Sequence, residues 1–252
     1  MNIQWDAEKY AQDFSFVPKH GADLIGMLDK ETVHTVLDLG CGGGVLTKQL
    51  SEAGFSVLGM DASETQLALA EKTYPDIAFR AGDATDFSLQ TPVDAVFSNA
   101  VLHWIPRGKH PQLLSCVYRA LLPHGQFVFE CGGYGNADAI HSALRQAFGK
   151  RHLDYRFAFY FPTVGEYTPL LEQAGFKVVS AELFDRPTPL KGENGLEDWI
   201  RMFLKEPFQS LSAAQTDEII AEAVESLRPT LYCNGVWIAD YVRLRCKAIK
   251  AP

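Results

Sequence analysis

The chain has 252 residues, of which 47% are hydrophobic and 21% charged, a balance typical of a globular protein that buries one large core. Its formal net charge of −8 argues against general affinity for nucleic acids or anionic membranes, because both attract basic surfaces. Since there is no signal-peptide pattern, no membrane span and no metal-ligand spacing among the five cysteines, we expect a cytoplasmic protein with reduced thiols and no metal, nucleic-acid or membrane partner.

Short apolar strands alternate with amphipathic helices from residue 34 onward. In chain order, the pattern predicts strands over 35–39, 55–60, 77–81, 93–97, 127–130, 176–183 and 236–248. It predicts helices over 45–53, 63–75, 111–121, 137–148, 163–174, 196–203 and 212–227. This alternation is typical of a parallel sheet with helices on both faces. We therefore predict an α/β fold with a doubly wound, mostly parallel seven-stranded sheet.

The end of the chain carries two further expectations. Pro229 is predicted to end the helix that Ser212 caps, because proline has no backbone N–H to continue it. In the last strand, apolar residues alternate with Arg243, Arg245 and Lys247. That alternation predicts an antiparallel strand at the edge of the sheet, with one face in solvent.

No repeat, low-complexity segment or linker divides the sequence. We therefore predict a single domain over 1–252, with an N-terminal helical lid over 1–30 and a helical cap insertion over about 185–230. Tyr10, in the predicted lid, is a candidate ligand contact.

The sequence VLDLGCGGGV, residues 36–45, places an acid and four glycines directly after the first apolar strand. Ordered glycine is entropically costly, so such a run indicates positive φ angles or a ligand close to the backbone. Ligands of open α/β sheets lie beyond the carboxyl ends of the strands, where Asp61, Asp83 and Asn99 also fall. Asp61 can accept from ribose hydroxyls, and Asp83 from an adenine amino group while the Ala84 backbone donates to the ring. These residues together predict a nucleoside site.

The glycine spacing separates two kinds of nucleoside ligand. Enzymes of hydride transfer use G-x-G-x-x-G/A, but here Val45 takes the place of the third small residue. The G-x-G-x-G spacing of Gly40, Gly42 and Gly44, with Asp38 two residues earlier, resembles motif I of the class I S-adenosylmethionine-dependent methyltransferases. The resemblance continues through Asp61, through the "GDA" of 82–84 and through "FSNAVLHWIP" of 97–106.

The resemblance implies the Rossmann-like methyltransferase fold and S-adenosylmethionine as cofactor. In such a site Asp61 contacts the ribose, Asp83 and Ala84 the adenine, and Gly40 lies under the amino-acid end. The candidate cofactor-binding residues are Tyr10, Asp38, Gly40, Cys41, Gly42, Asp61, Ala62, Asp83, Ala84, Asn99 and Ala100.

A wider resemblance, to the trans-aconitate methyltransferase group, covers almost the whole chain. It includes Trp5, Asp6 and Tyr10, "YTPLLEQAGF" of 167–176, "DWI" of 198–200 and the last strand. That group esterifies a carboxylate of a small tricarboxylic acid. The resemblance implies a small-molecule acceptor, possibly a carboxylic acid, and a monomer or homodimer. This sequence departs from the group at His103, where the trans-aconitate enzyme has an amide.

His103 and Trp104 are the candidate catalytic residues. A carboxylate is already ionised at neutral pH and needs no general base, whereas a phenol, amine or carbon nucleophile more often does. His103 is therefore interpreted as a base, as a cation that holds a carboxylate, or as a structural residue bonded to backbone. Trp104 either walls the methyl-transfer site or packs in the core.

Other functions stay open on the sequence alone. The chain also fits a natural-product methyltransferase, or a carrier-protein-linked one, acting on oxygen, nitrogen or carbon. A nicotinamide oxidoreductase is disfavoured by Val45, and a non-catalytic protein that binds S-adenosylmethionine is the remaining alternative.

Overall fold

The computed structural model describes Gly21 and residues 23–252. Tyr10 and most of the predicted lid lie outside the described residues. The strands are β1 Thr35–Leu39, β2 Ser56–Asp61, β3 Ala78–Ala81, β4 Val93–Asn99, β5 Leu121–Gly132, β6 Phe176–Pro189, β7 Tyr232–Cys233 and β8 Val236–Lys250. The helices are α1 Val45–Glu52, α2 Glu64–Thr73, α3 His110–Ala120, α4 Asp138–Gly149, α5 Val164–Gln173, α6 Gly195–Phe203, α7 Lys205–Phe208 and α8 Ala213–Leu231.

The strands form one sheet in the order β3-β2-β1-β4-β5-β8-β6, and β7 pairs antiparallel with β8. The pairs β1–β2, β1–β4, β2–β3 and β4–β5 are all parallel. The order reverses at β1 and β4, which creates the switch point where such sheets bind ligands. The predicted fold, a mostly parallel doubly wound sheet with one antiparallel end, is confirmed.

Alternation along the strands builds a core on each face of this sheet. Val36 of β1 and Phe97 of β4 belong to one buried cluster, which also contains Leu50 of α1. The neighbouring residues Leu37 and Val96 belong to the other cluster, which contains residues of α3 and α5. Strands buried on both faces are mostly apolar, which is why short, largely apolar runs identified them.

The described chain forms two compact units. The first runs up to Gly133 and adds Tyr160–Leu183 and Leu244–Pro252. The second comprises Tyr134–Phe159 and Phe184–Arg243 and contains the segment predicted as a cap. Within the second unit α4 packs against α8.

Two expectations about the end of the chain are wrong. Pro229 lies inside α8, which continues to Leu231. A proline removes a single intrahelical hydrogen bond, and Leu227 and Leu231, one turn apart, are both buried, so packing holds the last turn despite that loss.

The last strand, β8, is not at the edge of the sheet, because it lies between β5 and β6. Its charged side chains are partnered rather than solvated. Arg245 donates from Nε to Glu130 Oε2 at 2.9 Å, and Lys247 donates from Nζ to the carbonyl of Met27 at 2.7 Å. Arg243 is buried, with its guanidinium 4.2 Å from the Tyr241 ring centroid. The alternating basic residues of β8 therefore contact other parts of the protein instead of solvent.

A smaller correction concerns the start of β5. The sequence predicts this strand over 127–130, but β5 begins at Leu121, and its register with β4 shifts between Val93 and Ala95. His124 takes a positive φ of 64° there. Among the described residues, none of the helices combines the length and the hydrophobicity that a membrane span requires.

Candidate functional site

The carboxyl ends of β1, β2 and β4 bring the predicted acidic and glycine residues to one edge of the sheet. Strand pairing places Asp38 opposite Gly59 and also opposite Phe97. The Ser98 hydroxyl donates to the Leu39 carbonyl at 2.7 Å, which ties the ends of β4 and β1 together. The first unit thus contains all the described candidates at neighbouring strand ends.

Two glycines of the motif are required by the packing of the protein itself. Gly40 has a φ of +79°, and a Cβ there would lie 2.2 Å from a methyl group of Val101. Gly44 has a φ of +81°, and a Cβ there would lie 2.8 Å from the Phe79 ring. The backbone N–H groups of Gly40 and Cys41 both donate to the Met60 carbonyl, at 2.7 and 3.0 Å. These contacts fix the turn against β2.

Gly42 and Gly43, which lie between those two glycines, have room for a Cβ. Gly42 has a φ of +52°, yet the nearest described atom that its Cβ would meet beyond its chain neighbours is Gln66 Oε1, at 3.9 Å. The corresponding distance at Gly43 is 3.5 Å, to the same atom. Among the described residues, no side chain crowds this backbone. The glycine run therefore includes a stretch of main chain with room for a ligand.

Asp61 is held rigidly beside that stretch. Its Oδ2 accepts the Gly42 N–H at 2.9 Å, and its Oδ1 accepts the Ser63 N–H at 2.8 Å. Burial raises the pKa of this carboxyl, while the backbone N–H donors of Ser63, Gly42 and Ala62 oppose the shift. Ala62 follows Asp61 in the chain, and the next residue, Ser63, caps α2 by accepting from the Gln66 N–H. A carboxylate oxygen can accept more than one hydrogen bond, so Asp61 retains capacity for ligand hydroxyls.

Asp38 is the second acid of the site and is buried, with 2% of its surface exposed. Its Oδ2 accepts the Thr47 hydroxyl at 2.7 Å, which links β1 to α1 across the glycine turn. Burial raises the pKa of Asp38 to about 7, the Thr47 hydrogen bond opposes the shift, and the charge of Asp61 adds to it. Sequence reasoning missed Thr47, although it lies in the first turn of the helix that follows the motif.

Asp83 and Ala84 lie after β3 in a tight turn. Asp83 Oδ1 accepts both the N–H and the hydroxyl of Thr85, at 2.7 and 2.8 Å. These bonds to the carboxylate lower the pKa of Asp83, which is exposed, so it is ionised at neutral pH. Cys41, in the glycine turn, is buried, and burial strongly raises the pKa of its thiol.

The end of β4 carries a strained residue. Ala100 follows Asn99 with a φ of +60°, an unfavourable conformation for a residue with a Cβ, and its N–H donates to the Glu130 carbonyl at 2.8 Å. A short 3₁₀ turn over Leu102–Trp104 comes next. Backbone strain of this kind concentrates at functional sites, and here it directs the chain from the sheet into that turn.

His103 is buried in this turn and bonded on two sides. The Gly132 N–H, at the end of β5, donates to His103 Nδ1 at 3.0 Å, and the Tyr160 N–H donates to the His103 carbonyl at 3.0 Å. The ring centroid lies 5.5 Å from that of Trp104 and 5.8 Å from that of Phe161. Sequence reasoning did not find Gly132, Tyr160 or Phe161, since they are distant in the chain and carry no motif.

Comparison with known proteins agrees with the fold and the motif. Residues 36–125 match a family described as a methyltransferase domain. The chain is 33% identical, over 98% of both lengths, to an uncharacterized methyltransferase of Schizosaccharomyces pombe. It is 29% identical, over 86% of both lengths, to a trans-aconitate 2-methyltransferase of Methylobacterium nodulans. A solved S-adenosylmethionine-dependent methyltransferase from Mesorhizobium loti shares the fold with a TM-score of 0.55 and 21% identity, over 92% of this chain and all of that one.

The fold, with the glycine turn of residues 40–44 beside Asp38 and Asp61, defines a nucleoside-binding protein of the doubly wound α/β type. The chain belongs to the class I S-adenosylmethionine-dependent methyltransferases, and S-adenosylmethionine is its cofactor. It is similar to the trans-aconitate 2-methyltransferases among them. The family and cofactor predicted from the sequence are confirmed.

Proposed function

We propose that this methyltransferase acts on a small molecule and transfers the methyl group to a carboxylate oxygen, with trans-aconitate or a similar polycarboxylic acid as acceptor. Relatives named trans-aconitate 2-methyltransferase match over 86% and 82% of the chain. The structural observation that supports the cofactor site is the Gly42–Gly43 backbone, which no described side chain crowds, beside the fixed carboxylate of Asp61, while the acceptor class is supported by the names of the relatives.

The residues at this edge fit S-adenosylmethionine. Asp61 would accept from the ribose hydroxyls, and Asp83 with Ala84 would bind the adenine. The turn of Gly40, Cys41 and Gly42 would lie under the amino-acid end, with Asp38 nearby. Asn99 and Ala100 would border the methionine portion. A cationic sulfonium suits an edge with several acids better than a pyrophosphate does, since carboxylates repel phosphate.

When bound, S-adenosylmethionine supplies a methyl group that an acceptor oxygen takes as the carbon–sulfur bond breaks and its electron pair stays with sulfur, which leaves S-adenosylhomocysteine. The protein aligns the reactants and excludes water, and alignment alone accelerates such displacements strongly. His103 and Trp104 would border the acceptor.

The proposed acceptor class is tested by measuring S-adenosylhomocysteine release with sets of carboxylic acids, phenols and amines. We expect release with trans-aconitate or another small polycarboxylic acid, and formation of a methyl ester detected by mass spectrometry. Release only with phenols or amines would favour the natural-product alternative. Cofactor binding without release for any acceptor class would favour a non-catalytic protein.

Gly42→Ala tests whether the open backbone is the cofactor cradle. Both Gly42 and Gly235 have positive φ, at +52° and +81°, and a Cβ at either has no described atom within 3.5 Å beyond its chain neighbours. Either alanine should therefore lower the free energy of unfolding by about 1–2 kcal/mol through backbone strain. Only Gly42→Ala should also weaken S-adenosylmethionine binding, by about tenfold in calorimetry. Equal affinities in the two variants would remove Gly42 from the cradle.

A further inference from the structure

A glutamine of α2, Gln66, lies beside the open stretch of the glycine turn. It is buried, with only 5% of its surface exposed. Its Oε1 is the described atom closest to a Cβ built on Gly42 or on Gly43, beyond their chain neighbours, at 3.9 and 3.5 Å. The N–H of the same Gly42 donates to Asp61 Oδ2 at 2.9 Å. The amide of Gln66 and the carboxylate of Asp61 are thus both placed at Gly42.

The local sequence offers this amide another partner, which the structure does not use. Ser63 and Gln66 have the spacing of a capping box, in which the side chain of the later residue accepts the backbone N–H of the capping serine. In α2 half of the box forms, because the Ser63 hydroxyl accepts the Gln66 N–H at 3.4 Å. The Ser63 N–H donates instead to Asp61 Oδ1, at 2.8 Å. Asp61 therefore takes the place of Gln66 in the cap and leaves its amide available.

Two other glutamines show how the protein bonds this side chain elsewhere. At the start of α8, Gln215 completes its capping box, since its Oε1 accepts the N–H of the capping serine at 3.1 Å. Gln126, which is also 5% exposed, accepts the Asp29 N–H at 3.2 Å and donates from Nε2 to the Thr32 hydroxyl at 3.3 Å. Within the described part of the chain, by contrast, no group forms a hydrogen bond with the Gln66 amide.

We propose that the Gln66 amide binds the ribose of S-adenosylmethionine together with Asp61. The inference rests on the cofactor position proposed above, with Asp61 at the ribose hydroxyls. Buried polar groups are nearly always hydrogen-bonded, so an amide left open beside a backbone with room for a ligand indicates that the ligand supplies the partner. An ionised carboxylate only accepts, whereas a hydroxyl that donates to it still has lone pairs for an N–H. Gln66 can supply that N–H.

Gln66→Met tests the contact with a side chain of similar length and volume that has no amide. We expect the Kd for S-adenosylhomocysteine in calorimetry to rise about three- to tenfold, as for one lost neutral hydrogen bond. The melting temperature should stay the same, because no described group of the protein loses a partner. Gln126→Met is the matched control. It should lower the melting temperature, since the Asp29 N–H loses its acceptor, and keep the wild-type affinity.

Analogues of S-adenosylhomocysteine that lack one ribose hydroxyl, the 2′-deoxy and 3′-deoxy compounds, locate the contact. The loss of affinity caused by Gln66→Met should be present for the parent compound and disappear for the analogue without the hydroxyl that the amide binds. A loss of the same size for all three compounds would overturn the ribose assignment, because the amide would then bind another part of the cofactor.

The same titrations separate failure of the inference from failure of the proposed function. Wild-type affinity in Gln66→Met, with weaker binding in Asp61→Ala, overturns the role of Gln66 alone. Wild-type affinity in Asp61→Ala overturns the proposed cofactor position and the ribose assignment with it. Because these titrations contain no methyl acceptor, their result does not depend on whether the acceptor is a carboxylate.

Discussion

Asp61→Ala is expected to weaken S-adenosylmethionine binding by about tenfold or more, without unfolding the protein. The substitution removes a charged acceptor that would bind the ribose hydroxyls, and a hydrogen bond to a charged group contributes about 1.5–3 kcal/mol. It also releases the Gly42 N–H, which Asp61 Oδ2 accepts at 2.9 Å. Isothermal titration calorimetry of the purified variant measures the affinity, and thermal unfolding measures the stability.

Asp94→Ala is the matched control for this experiment. Asp94 Oδ2 accepts the N–H of His34 and both the N–H and the hydroxyl of Thr35, at 2.8 to 3.0 Å. It therefore links β1 to β4 as Asp61 links the glycine turn to β2, but at the amino ends of the strands. We expect Asp94→Ala to lose stability and keep cofactor affinity. Unchanged affinity in Asp61→Ala, or equal loss in both variants, would contradict the ribose assignment.

The sequence predicted the residues at the carboxyl ends of the strands well, because the patterns that indicate them are local in the chain. The glycines directly follow the first apolar run, and each acid stands within a few residues of the strand that it ends. Each predicts its own backbone conformation or strand end, and the parallel topology then brings them together. The strand predicted over 35–39 has those bounds in the structure.

What the sequence did not predict depends on contacts between distant segments. The donor to His103 is Gly132, 29 residues away, and nothing in the sequence distinguishes that glycine. The partner of Arg245 is Glu130, 115 residues away, so the alternating charges of β8 resembled a solvated edge. Such pairings are set by strand order, which periodicity alone does not give.

Asp38→Asn is expected to make the protein more stable above pH 7 and to leave its stability near pH 4 almost unchanged. Burial raises the pKa of Asp38 from 3.8 to about 7, so the unfolded chain loses this proton at a lower pH than the folded chain. Below pH 4 the carboxyl is protonated in both states and the folded state has no penalty. Between pH 4 and 7 the unfolded state binds fewer protons, so wild-type stability falls as pH rises.

The size of that fall follows from the shift. A pKa of about 7 in place of 3.8 corresponds to roughly 4 kcal/mol of lost stability, and Asp38→Asn should avoid most of this loss, since its amide oxygen can still accept from Thr47. Chemical denaturation of both proteins at half-unit steps from pH 4 to 8 gives the difference directly. We expect it to grow through this range and then level off. A constant difference would mean that Asp38 is ionised in the folded protein throughout.

The same acid connects stability to the proposed cofactor position. A cationic ligand favours the ionised form of a nearby carboxyl, so binding next to Asp38 should release a proton when the free enzyme holds one. Affinity for S-adenosylmethionine should then increase as pH rises from 6 to 8 in the wild type, and change less in Asp38→Asn. Calorimetry in two buffers of different ionisation enthalpy measures the released proton. Equal proton release by the two proteins would place the cationic part of the cofactor away from Asp38.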